Sequence, residues 1–169
     1  MKRALHVVDI QYDFLPGGPL AVPEGDNVIS FVLQRMRDGS VYDLVVASQD
    51  WHPANHGSFA SVHQGAETFQ VGELEGLDQV FWPDHCVQRS PGARLEERIR
   101  GELAQLSEEG RYALIVKKGQ DPDVDSYSAF FDNARRRDTG LDRALKSYDI
   151  EAIDIVGLAF DYCVKFTAL

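Results

Sequence analysis

Four short apolar runs constrain this chain more than any other feature: residues 4–8, 44–47, 112–116 and 150–156. Each is rich in β-branched residues and bounded by polar or turn-forming ones, the pattern of a buried strand. Between the first two runs, Val28, Ile29, Val32, Leu33 and Met36 recur at helical spacing, with Asp26 and Asn27 placed to cap and Gly39 to stop the helix. Leu95, Ile99, Leu103 and Leu106 predict an amphipathic helix over 93–106. Thr139 is placed to cap a helix through Leu141 and Leu145, and the chain after the fourth run turns into a helix starting near Tyr162 or Cys163. The order β-α-β-(long loop)-α-β-α-β-α predicts a three-layer α/β/α fold with a central, mostly parallel sheet.

A length of 169 residues with 44% apolar composition supports one sizeable core, so residues 1–169 are read as a single domain. The last helix stops at Leu169 after barely two turns, which reads as a domain truncated at its C-terminus, with part of the fold missing. A net charge of -10 argues against nucleic acid or an anionic membrane surface as partner. Arg135, Arg136 and Arg137 form the only basic run, read as a solvated helix start. No apolar stretch approaches the roughly 20 residues of a membrane span, so the expectation is a soluble, cytoplasmic protein. Cys86 and Cys163 sit in different contexts and read as free thiols.

Each apolar run is followed at once by a reactive side chain: Asp9, then Asp50 and His52, then Lys118, then Cys163. In open parallel sheets, ligands bind beyond the carboxyl ends of the strands, so these residues should converge. Asp50, His52 and His56 share one short loop, and in extended backbone Asp50 and His52 face the same side. A carboxylate with two imidazoles suits Zn²⁺, Fe²⁺ or Mn²⁺ with positions left open. Taken alone, that spacing fits a polar capping loop equally well. The long connection over 58–91 carries Phe81-Trp82-Pro83-Asp84-His85-Cys86-Val87 and would return His85 as a further ligand, while Cys86 reads as structural. Cys163 at a helix start is the candidate nucleophile, its pKa lowered by the helix dipole. Asp9 is its candidate base, and Lys118 would stabilise the charges of both, while Lys117 reads as a solvated lysine. Phe14, Trp82 and Tyr127 are candidate walls for a flat aromatic substrate, and equally candidates for the core. His6 and His63 read as ordinary histidines.

With these residues in view, the chain resembles the nicotinamidase family within the isochorismatase-like cysteine hydrolases. The motifs are Val8-Asp9-Ile10-Gln11-Tyr12-Asp13-Phe14 with Pro16-Gly17-Gly18, the loop over 49–60, the Phe81 to Val87 cluster, Lys118-Gly119 with Asp125-Ser126-Tyr127-Ser128-Ala129-Phe130, and Gly157-Leu158-Ala159 with Asp161-Tyr162-Cys163-Val164. The resemblance implies Asp9, Lys118 and Cys163 as a catalytic triad. It implies one divalent metal, zinc foremost with iron or manganese as alternatives, on Asp50, His52 and His85, with His56 a ligand in some members. It also implies a cis peptide between Leu158 and Ala159, aiming the N–H groups of Ala159 and Cys163 into an oxyanion hole. The activity implied is hydrolysis of nicotinamide to nicotinate and ammonia through a cysteine thioester, with the metal anchoring the ring and homo-oligomers allowed. Two other readings stay open: another small-amide cysteine hydrolase, such as an N-carbamoyl amine amidohydrolase, and a catalytically silent metal-binding or interaction protein.

Overall fold

The computed structural model describes residues 1–169. The four apolar runs form strands β1 (Lys2–Val8), β2 (Leu44–Asp50), β5 (Tyr112–Lys118) and β6 (Ile150–Gly157), paired in parallel in the order β5-β2-β1-β6. The strands extend further than the apolar runs alone because the ladder continues through polar residues, with Asp50 in register with Lys118.

Helices α1 (Val28–Arg37) and α2 (Glu97–Glu108) pack on one face, where Ile29, Val32, Met36, Ile99, Leu103 and Leu106 meet Leu5, Val7, Val45 and Ala47 of the sheet. Helix α3 (Leu141–Ser147) covers the other face through Leu141 and Leu145 against Ala4, Leu44 and Val46. The alternation of Leu5 and Val7 with Ala4 and His6 follows from the period-2 geometry of a strand. The result is the three-layer α/β/α architecture. Connections from β1 and β2 proceed toward β5, whereas the chain after β5 returns to the far side of β1. That reversal opens a crevice beyond the carboxyl end of β1, where ligands bind in such sheets. No helix is long and apolar enough to cross a membrane.

Several local expectations change. The 58–91 connection contains a hairpin, β3 (Val71–Leu74) and β4 (Leu77–Val80), closed by Glu75 and Gly76, both at positive φ as a type I′ turn requires. Helix α2 starts later than 93 because Leu95 is held in a bridge with Gln11, and the Glu96 carboxylate then accepts from the N–H groups of Arg98 and Ile99 as the cap. Asp26 and Asn27 do not cap α1 with their side chains; a 3-10 turn, Gly25–Asn27, runs into it. Gly140 occupies the cap position of α3, and Thr139 assists by accepting from the Leu141 N–H. The Arg135–137 run is no helix start. It is a turn in which Asp132 accepts from the N–H groups of Arg136 and Arg137, while those side chains pair with Glu75 and Asp121. Cys163 lies in a π-turn, Phe160–Val164, that precedes the four-residue helix α4 (Lys165–Ala168).

Candidate active site

Asp9 immediately follows β1 and adopts a left-handed φ of 48°, which turns its carboxylate back over the sheet edge. The Ser48 hydroxyl donates to Asp9 Oδ1 at 2.7 Å. Beside it, Gly157 closes β6 at φ 126°, in a place where a Cβ would strike the Val8 carbonyl, so glycine is required there. The peptide between Leu158 and Ala159 is cis, and the turn that follows brings Cys163 to the end of β1.

Lys118 is the hub of the cluster. Its Nζ lies 2.5 Å from Asp50 Oδ1, 2.8 Å from the Ser126 carbonyl, 3.0 Å from Asp9 Oδ2 and 3.3 Å from Cys163 Sγ. The side chain is buried, unlike that of Lys117, which is exposed and stacks over Trp51 at 3.8 Å. Burial pulls the Lys118 ammonium down, but the Asp50 and Asp9 carboxylates outweigh it and hold the pKa well above the usual lysine value. Burial pushes Asp50 up, yet the positive Lys118 and the His52 ring bring it well below the usual carboxylate range. For Asp9, burial prevails over the pull of Lys118 and the carboxyl is raised, which makes it a stronger base.

Cys163 differs from its expected state. Burial raises its pKa well above the ordinary thiol value, Lys118 opposes that rise, and the facing Asp9 adds to it. The surroundings thus push Cys163 away from a preformed thiolate, with the Asp9 carboxylate beside it.

The histidine cluster adjoins Lys118 through Asp50. His52 Nδ1 donates to the Gly119 carbonyl and His85 Nδ1 to the Pro83 carbonyl, both at 2.8 Å, so both Nε2 atoms are left for other partners, and against its burial the Asp50 carboxylate raises the His52 pKa. One ligand atom from each of Asp50, His52 and His85 falls within 4.8 Å of the others. His56 lies against His52, ring centroids 4.3 Å apart, with Nδ1 bonded to the Ser58 hydroxyl. Burial lowers His56 and His85 to about 4, leaving neutral imidazoles, the form that binds metals. Hard and borderline donors, fixed tautomers and burial together fit a divalent ion of the zinc, iron or manganese class.

Cys163, Asp50 and His85 all line a cavity of about 220 Å³. Phe14, Trp82 and Tyr127 all line it, as do Leu20, Val22, Tyr162 and Ala159. Trp82 and Tyr162 meet edge to face at 5.0 Å, leaving a narrow apolar slot. A larger groove of about 1050 Å³ runs along α3, β6 and α4 and contains none of the converged residues. His63 stacks on Phe81 and bonds the Gly57 carbonyl, well accounted for structurally. Cys86 is a buried free thiol whose N–H donates to Asp13, in keeping with a structural role.

Sequence reasoning missed Gln11 and Asp125. The Gln11 amide donates to the Asp50 carbonyl and accepts from the Asp50 N–H, both at 2.8 Å, clamping the loop that carries the cluster. Asp125 is buried at the cavity wall, with Gln79 donating to Oδ2 at 3.0 Å. The Gln11 side chain lies one position beyond Ile10 in a motif already singled out, and only its cross-strand reach was hidden.

No family model matches the chain. It is 53% identical over 169 residues to the nicotinamidase of Escherichia coli, covering 99% of this chain and 75% of that protein. Among solved structures, the yeast nicotinamidase bound to the inhibitor nicotinaldehyde superimposes with a TM-score of 0.90 at 33% identity, covering 98% of this chain and 79% of that one. The pyrazinamidase of Pyrococcus horikoshii in complex with zinc gives 0.69 at 34% identity, covering 99% and 76%. Identity this high over nearly the whole chain, carried on the same parallel-sheet architecture, places the chain in the nicotinamidase family of the isochorismatase-like fold.

Proposed function

We propose that this chain is an amidohydrolase converting nicotinamide to nicotinate and ammonia, with Asp9, Lys118 and Cys163 as its catalytic residues. The observation that carries the reading is the meeting of Asp9, Asp50 and Cys163 on the one Lys118 ammonium, beside a slot lined by Cys163, Asp50 and His85. The family's name points to the same substrate, and the nicotinaldehyde held by the yeast relative is a pyridine of matching shape.

In this mechanism the ring slides between Phe14, Trp82 and Tyr127, which exclude water and keep it flat. Asp9, with its raised pKa, takes the Cys163 proton as Sγ attacks the carboxamide carbon. The C=O π electrons move to oxygen, and the N–H groups of Ala159 and Cys163 receive that charge. Lys118 lowers the cost of holding the Asp9 and thiolate charges side by side. Asp9 then returns the proton to the departing nitrogen, the C–N bond breaks and ammonia leaves. A water molecule, losing a proton to Asp9, attacks the thioester; the C–S bond breaks, the thiol is restored and nicotinate departs. Asp50, His52 and His85, with His56 beside them, would hold one divalent ion, which supplies a Lewis-acid anchor for the pyridine nitrogen. Zinc is its first identity, since the Pyrococcus horikoshii relative carries zinc and the donors suit it. A nucleophile that is a free thiol fits the reducing cytoplasm.

Ammonia release from nicotinamide tests the reading. The wild-type protein should turn over nicotinamide well ahead of benzamide, which lacks the ring nitrogen, and Cys163→Ala should lose at least ~10⁴-fold in kcat. Retained ammonia release in Cys163→Ala would overturn the thioester route. Equal rates on benzamide would remove the ring anchor, and N-carbamoyl substrates as the preferred ones would shift the activity to the neighbouring amidase chemistry.

A further inference from the structure

The slot beside Cys163 has broad apolar walls, yet the acidic side chains that reach it have no basic counterpart there. Asp50, Asp125 and Asp161 line it, and no Lys or Arg does. Asp50 is answered by the Lys118 ammonium, and Asp125 accepts from the Ser126 N–H and from Gln79. Asp161 forms no ion pair. Lys165, four residues on, places its ammonium over the Phe166 ring at 5.6 Å instead.

The place of Asp161 in the chain makes this charge matter. It lies in the Phe160–Val164 turn, between Ala159 and Cys163, and it is exposed where Cys163 is buried. In formal charge, a divalent ion and the Lys118 ammonium together offset Asp9, Asp50 and Asp125, so Asp161 is the carboxylate left over. The chemical steps only shift negative charge among Asp9, Sγ and the carboxamide oxygen. Binding nicotinate from solution, by contrast, brings in one negative charge that binding nicotinamide does not. An uncompensated carboxylate at the slot therefore weakens the hold on the acid without touching that on the amide, by an amount that salt reduces.

We propose that Asp161 is a specificity-determining residue that admits neutral pyridine carboxamides and repels the corresponding anionic acids, so that the nicotinate product leaves readily. The inference rests on the nicotinamide reading under Proposed function, and it assigns the charge filter to a residue outside the catalytic set.

The test is competitive inhibition of ammonia release by nicotinate, with 3-methylpyridine as the neutral ring for comparison. In Asp161→Asn the inhibition constant of nicotinate should fall about three- to tenfold relative to that of 3-methylpyridine at low ionic strength. Asp161→Glu, which keeps the charge, should stay with the wild type. Raising the salt to about 0.5 M should strengthen nicotinate inhibition of the wild type itself and leave 3-methylpyridine unaffected, a check that needs no variant to fold. The proposal is overturned by constants for the two inhibitors that move together in Asp161→Asn, as a merely structural role would give, by Asp161→Glu behaving like Asp161→Asn, or by wild-type inhibition indifferent to salt. If the wild type releases no ammonia from nicotinamide, the reading under Proposed function fails and this inference with it. Turnover with an unaltered preference between the two inhibitors fails this inference alone.

Discussion

Around Lys118 every charge meets its opposite within the protein, whereas around His52 the chain supplies more donors than it has groups to answer them. The ammonium touches two carboxylates, a carbonyl and a thiol, and all of these are buried. The three imidazoles beside it are each anchored through Nδ1, His52 to Gly119, His56 to Ser58 and His85 to Pro83. Asp50 belongs to both clusters, one oxygen on Lys118 and the other 3.6 Å from His52 Nε2. The Lys118 cluster is thus balanced by an internal salt-bridge network, whereas the His52 cluster, a cradle for metal on the reading proposed above, draws its balance from a bound cation.

Lys118→Met should have the largest effect on stability. Removing one partner of a buried charge network strands Asp9 and Asp50 and should cost about 3–5 kcal/mol of stability, read as a fall in the urea midpoint at unchanged slope. Substitution in the cradle should behave otherwise: His85→Gln, which keeps most of the buried volume, should leave the metal-free protein within about 1 kcal/mol of wild type, since the lost Pro83 hydrogen bond is a single neutral one. Equal losses from the two substitutions would mean that the clusters do not differ as described.

Metal addition sharpens the contrast from the other side. Zinc at a hundredfold excess over its dissociation constant should stabilise the wild type by about 2.7 kcal/mol, and a chelator should reverse the gain. His85→Ala should shrink that gain, while Cys163→Ala, altered only in the triad, should keep it. A gain that survives His85→Ala at the same zinc concentration would place the ion elsewhere.

The convergence of Asp9, Lys118 and Cys163 was legible because Asp9 follows β1, Lys118 ends β5 and Cys163 lies in the turn after β6, and sheet topology does the rest. Asp9, Lys118 and Cys163 needed no knowledge of the fold beyond strand order. The cradle was half legible: Asp50 and His52 are neighbours, but His85 returns across a connection that the apolar pattern does not describe. The hairpin at 71–80 escaped because its strands are short and half exposed, with Glu73 and Asp78 among them. Gln11 and Asp125 escaped for another reason. Their meaning lies in hydrogen bonds to residues 39 and 46 positions away, which no local spacing encodes. The ionisation of Cys163 was misjudged because burial by residues distant in sequence outweighs the local helix start.

The reach of the triad's charge beyond the triad gives the smallest effect and the finest test. His6 sits mid-strand in β1, paired with Val46 and Ile155, and neither ring nitrogen has a partner. Burial lowers its pKa to about 3, and the nearby Lys118 charge pushes the same way. A folded pKa below the unfolded value of 6.5 means that unfolding takes up a proton as the pH falls. The stabilisation from a neutral His6 is therefore complete above pH 6.5 and is lost progressively toward pH 3, by about 2 kcal/mol between pH 6.5 and pH 5. His6→Met should remove that part of the acid dependence in urea titrations across this range. Where Lys118→Met remains folded, the His6 ring followed by NMR should titrate closer to its ordinary value, because the repelling ammonium has gone while the burial remains. A His6 titration indifferent to Lys118 would confine the field of that ammonium to the carboxylates that contact it, and burial alone would then account for the neutral histidine.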